Sequence, residues 1–146
     1  MNENKIKNNS QKFGFLLINK NEIIISKFEN LNNIILYKNN NIKIDYNNNK
    51  SKKRSNSIGK FLEMKKNQKN FDLITENLSK FFITKNKINV NGIIIGGNAQ
   101  IILQYLKSNF FNKNFFKYII TCIENLNEGE IGLKIAIKKS LLKTIN

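Results

Sequence analysis

Val90-Asn91-Gly92-Ile93-Ile94-Ile95-Gly96-Gly97-Asn98-Ala99 decides what kind of fold this chain makes. Consecutive isoleucines closed by a glycine pair do not alternate in polarity, so the segment reads as a strand buried on both faces, in the centre of a sheet. Asn98 has the chemistry of a helix N-cap, and the apolar spacing of Ile101, Ile102 and Leu106 predicts a helix over 99–106. Beyond it, 110–116 is a short aromatic helix or turn and 117–123 is another strand. Gly96-Gly97 reads as a close strand-to-helix passage, because no GxGxxG pattern or Walker lysine accompanies it to make a phosphate loop.

Upstream, 13–18 and 22–28 form a hairpin around Asn19, Lys20 and Asn21, and 31–37 is a third strand. Ile42, Ile44 and Tyr46 alternate with Lys43 and Asp45, which predicts a half-buried fourth strand. The stretch 47–57, NNNKSKKRSNS, then has no apolar residue and no acid, and carries Lys50, Lys52, Lys53 and Arg54. Loops of this length inside a domain are commonly functional. A long helix follows: Ile58, Phe61 and Leu62 on one face, a polar middle over 64–69, then a core stripe of Phe71, Ile74, Leu78, Phe81 and Phe82. Residues 130–142 (Ile131, Ile135, Ile137, Leu141) predict a closing amphipathic helix. The order β-β-β-β-loop-α-β-α-β-α makes this an α/β (α+β) fold, a mixed sheet of about five to six strands with helices packed on it. We expect a flexible tail over 1–12, one domain over 13–142 and a short tail over 143–146.

Composition limits the chemistry. The chain has 146 residues, a formal charge of +15, one cysteine and no histidine. One cysteine excludes a disulfide framework or a cysteine-based zinc site, and the lack of histidine excludes a histidine-based dyad. Cys122 reads as a small core residue. No apolar stretch approaches the length of a membrane helix, and the expected setting is cytoplasmic. The charge attracts polyanions, yet Lys, Asn and Ile together fill 78 of 146 positions. These are the amino acids of A- and T-only codons, so AT-biased composition accounts for much of the basicity. Lysine also makes point-charge phosphate contacts where arginine would make bidentate forks. Asp45, Glu63, Asp72 and Glu124 are scattered and form no paired metal-binding set, which weighs against an RNase-H-like nuclease. No cofactor is expected.

Several short words in fixed order carry a resemblance. They are Lys12-Phe13-Gly14-Phe15, the basic loop before the long helix, Ser57-Ile58-Gly59-Lys60-Phe61, the run from Asn86 to Ala99, and Asn127-Glu128-Gly129-Glu130-Ile131-Gly132-Leu133 through to Ser140. In this order the chain, over about residues 12–140, resembles the middle domain of the eukaryotic and archaeal class-1 peptide chain release factor. The resemblance implies a translation termination factor whose loop reaches ribosomal RNA and the acceptor end of peptidyl-tRNA. There a Gly-Gly-Gln tripeptide would help water hydrolyse the ester. It also implies partnership with a translational GTPase and with a codon-recognition domain.

At the tripeptide this chain departs from the family. Anchoring on Ser57 and Phe61 places Arg54, Ser55 and Asn56 there, and anchoring on the downstream strand moves the register two residues earlier. Neither register contains glycine or glutamine. Non-glycine residues in left-handed conformations cost about 1–2 kcal/mol each, and Asn56 is a methylene shorter than glutamine. Ester hydrolysis thus lacks its family machinery, and whether any remains is open at this point. The basic residues remain as RNA contacts: Lys50, Lys52, Lys53, Arg54 and Lys60, with Lys65, Lys66 and Lys69 equally readable as a wet helix face. Ribosome-rescue factors of the Pelota type share this domain and lack the tripeptide, which makes them the alternative reading.

Overall fold

The computed structural model describes residues 11–29, 32–44 and 57–124, the side chains of 57–64 excepted. Among the described residues, seven strands and two α-helices follow in chain order: β1 (Lys12–Asn19), β2 (Glu22–Glu29), β3 (Asn32–Asn39), α1 (Ser57–Phe82), β4 (Ile83–Thr84), β5 (Lys87–Ile88), β6 (Gly92–Gly97), α2 (Ala99–Lys107), a 3₁₀ helix (Lys113–Tyr118) and β7 (Ile119–Glu124). Five strands make one mixed sheet in the order β3-β2-β1-β6-β7, and β4 and β5 form a separate two-stranded ribbon. β1 pairs antiparallel with β2 and parallel with β6, while β6 pairs parallel with β7 through the α2 crossover.

The unbroken Ile93-Ile94-Ile95 run does lie inside the sheet, and every residue of β6 is buried. Its neighbours split by parity onto two faces. Leu16, Ile18, Ile23, Ile25, Ile93 and Ile95 face α1 and α2, meeting Phe71, Ile74, Leu78, Ile101 and Tyr105. Phe15, Leu17, Ile24, Phe28 and Ile94 form a second buried cluster on the opposite face. Residues two apart along a strand share a face, so both clusters follow from runs that are apolar at every position.

The glycine pair is a passage from strand to helix. Gly97 has φ +126°, and a Cβ there would lie 2.0 Å from the Ile18 carbonyl oxygen. Asn98 then caps α2, its side-chain oxygen accepting from the Ile101 amide at 3.0 Å.

Residues 42–44 are not a strand, contrary to the alternation of Ile42 and Ile44. The Ile44 amide donates to the Lys20 carbonyl at 2.7 Å, and its side chain plugs the α1 side of the core with no exposed surface. An ordered segment lying across a hairpin turn buries alternate residues just as a strand does. The β4–β5 ribbon was not expected. Its two-residue turn places Lys85 and Asn86 at φ 52° and 65°, a conformation that glycine usually advertises. The expected closing helix over 130–142 lies outside the described residues.

Candidate nucleic-acid interface

α1 has 26 residues, a length of about 39 Å at 1.5 Å per residue. Among the described side chains its anchoring falls in the second half. Phe71, Ile74, Leu78 and Phe82 are buried, spaced to put one stripe on the sheet. Thr75 lies on that face and is fully partnered. Its hydroxyl donates to the Phe110 carbonyl at 2.6 Å and so accepts from the Tyr105 hydroxyl, 2.7 Å away. Tyr105 is wholly buried, with Phe71 at 5.2 Å and Phe111 at 5.4 Å between ring centroids. Burial pushes its phenol pKa well above the ordinary value. This cluster clamps α1 to α2 and the following turn. The sequence reading missed it, although a threonine on an apolar stripe is a signal that a buried partner is needed.

Ahead of Phe71 the helix turns polar. Lys65, Lys66, Gln68 and Lys69 are exposed, and Asn70 donates to the Lys43 carbonyl at 3.0 Å. That bond pins the chain entering the 47–57 stretch beside the middle of α1. Ser57, where the chain returns, is thirteen positions nearer the N-terminus than Asn70, about 20 Å further along the axis. The first turn of α1 holds no acidic residue, so no carboxylate of that turn offsets the positive end of its dipole. A segment without acids, four of its residues cationic, thus leads in sequence into the positive end of this helix.

Lys50, Lys52, Lys53, Arg54, Ser55 and Asn56 lie outside the described residues, as does the Lys60 side chain, whose backbone belongs to α1. Lys65, Lys66 and Lys69 share the exposed side of α1 as expected. Lys113 is committed elsewhere: its ammonium donates to the Leu106 and Ser108 carbonyls at 3.3 and 3.0 Å and lies over the Phe111 and Phe116 rings, complementing the C-terminal end of α2.

Cys122 is exposed, which corrects the core reading. β7 is an edge strand whose outward positions are Ile120, Cys122 and Glu124. Partial burial and the Glu124 carboxylate push the thiol pKa up. Asp45 lies outside the described residues, and Glu124 ends β7 alone. Among the described residues no three His, Cys, Asp or Glu side chains gather into a metal-binding group, and no helix is long and apolar enough to cross a membrane.

The fold is that of a mixed-sheet α/β domain with one long helix, and in sequence the cationic segment directly precedes that helix. Residues 12–146 match the family model eRF1 domain 2, and the chain belongs to that family, the middle domain of the class-1 release factor. Among solved structures the archaeal translation termination factor aRF1 superposes with a TM-score of 0.66 at 14% identity, over 88% of this chain and 34% of that one. A second archaeal protein gives 0.62 at 15% identity, over 94% and 35%. The chain thus spans about a third of the length of the two structures it matches. No curated protein matches it in sequence.

Proposed function

We propose that this chain is a termination-factor-like, RNA-binding domain that reaches ribosomal RNA and the tRNA acceptor end through its basic 47–57 stretch, without the family's means of driving ester hydrolysis. The observation that carries the reading is the family match over nearly the whole chain. The placement of Ser57 about 20 Å along α1 from Asn70 supports it. Twelve residues separate Ile44 from Ser57, enough chain to cover that distance, since extended chain spans about 3.3–3.6 Å per residue.

Lys50, Lys52, Lys53, Arg54 and Lys60 supply phosphate contacts that position the domain without reading sequence. Arg54, Ser55 and Asn56 occupy the tripeptide register. Each carries a Cβ where the family's glycines permit close backbone approach, and Asn56 offers an amide set too far back to fix a water at the same point. Contact is retained and the positioned water is lost.

Crosslinking on programmed ribosomes tests the contact. Reagents placed at residues 50 and 54 should react with RNA of the peptidyl transferase centre or with the tRNA 3′ end. Crosslinks confined to other ribosomal sites, or none, contradict the reading. The glycine-free stretch favours the rescue-type alternative, which predicts the same crosslinks on stalled ribosomes with an empty decoding site and none on ribosomes paused at a stop codon.

A further inference from the structure

The exposed side of α1 forms one wall of an open groove. Lys65, Lys66, Gln68, Lys69 and Phe110 line it, and Asp72 is its single anion among the described residues. The groove measures about 710 Å³. Through Gln68 and Phe110 it continues into a second hollow of about 440 Å³, to which Gln104, Lys107 and Asn109 contribute. Among the described residues, four lysines, one carboxylate and the amides of Gln68, Gln104 and Asn109 line the two hollows.

Three observations separate this groove from the general lysine and asparagine background. Phe110 is held in place: its carbonyl accepts from Thr75 at 2.6 Å and its amide donates to the Ser108 hydroxyl at 3.2 Å. A half-buried ring fixed on both sides of its backbone is a preformed stacking platform. Glutamine is not a residue of A- and T-only codons; the chain has four, of which Gln68 lines this groove and Gln104 the hollow that continues it. Finally, Lys69 is twelve positions along α1 from Ser57, about 18 Å. A strand touching both points falls within the roughly 4–16 nucleotides that single-strand sites cover.

We propose that the groove between the Lys65–Lys69 side of α1 and Phe110 is a second RNA-contact surface, which holds an unpaired strand continuing from the one met by the 47–57 stretch. Lys66, Lys69 and Lys107 take phosphates, Phe110 stacks on a base, and Gln68 and Gln104 meet base edges. This rests on the RNA-binding reading above. An acidic polypeptide would use the lysines and leave the ring and the amides without a role.

The test is anisotropy titration of the full chain with a labelled 12-nucleotide unpaired RNA over a salt series. Lys66→Gln/Lys69→Gln should bind about tenfold more weakly, with a salt slope shallower by about 1.4, since each phosphate neutralised on a single strand contributes about 0.7. Phe110→Leu keeps the core packed and should lose about fivefold with the slope unchanged, because a ring releases no counterions. Lys50→Gln/Lys52→Gln/Lys53→Gln should weaken binding in addition to either. If both groove variants bind as the parent does while the loop variant weakens, the groove proposal is overturned and the loop reading stands. Parent chain with no salt-sensitive RNA binding overturns both. Displacement by polyglutamate with Phe110→Leu unaffected assigns the groove to an acidic protein and overturns the RNA proposal.

Discussion

Single residues show where this fold is least tolerant. Gly97→Ala puts a methyl against the Ile18 carbonyl oxygen in a left-handed backbone, and a loss of about 3 kcal/mol or more is expected, read as a fall in the denaturant midpoint. Ser26 is the opposite case. It is fully buried between Phe15 and Ile35 at a register shift of the β2–β3 pair, and its hydroxyl makes no hydrogen bond. Ser26→Ala should raise stability by about 1 kcal/mol in urea unfolding, since an unpaired buried hydroxyl costs free energy that a methyl does not. The first position was legible in the sequence, because a glycine between a buried strand and an N-cap has few other reasons to be there. The second was not: a serine inside an apolar strand is equally at home on a solvent face, and only the pairing of β2 on both edges places it inside.

At the scale of elements, the sheet was readable because its strands are apolar on consecutive or alternate positions, and α1 because its second half keeps a 3.6-residue stripe. What failed was short or non-periodic. Ile42, Ile44 and Tyr46 alternate over only five residues, of which 45 and 46 lie outside the described ones; so short a pattern does not distinguish a strand from a segment plugged over the Lys20 turn, and the β4–β5 turn lacks glycine. The clamp between α1 and α2 joins residues thirty positions apart, Thr75 and Tyr105, so no local pattern announces it. Thr75→Val leaves the Tyr105 hydroxyl and the Phe110 carbonyl unpaired and should cost about 2–3 kcal/mol, whereas Tyr105→Phe removes one partner and should cost about 1 kcal/mol. A double-mutant cycle should show coupling well above zero. The phenol also sets a pH dependence. Its pKa is raised in the folded chain above the value of about 10 expected when unfolded. Above that pH the unfolded state releases the proton and the folded state holds it, so this contribution to stability is full below pH 10 and falls as pH rises further. Denaturation at pH 9 and 11 should show the drop, and Tyr105→Phe should reduce it.

For the whole molecule, the scaffold is that of a release-factor middle domain, while the stretch that would do the family's chemistry has changed its residues. Order and spacing of short words made the family legible; the function of the 47–57 stretch was less so, because lysine and asparagine are what this composition puts everywhere. The central claim is that the domain retains RNA contact and has lost the positioned water. The most direct measurement compares the parent chain with Arg54→Gly/Ser55→Gly/Asn56→Gln in release of peptide from peptidyl-tRNA on ribosomes with an open acceptor site, at matched binding. Release should stay near background for the parent and rise at least tenfold for the variant, a restored fixed donor being worth about 10²–10³ in other acyl-transfer sites. Release by the parent as fast as by the variant would contradict that claim.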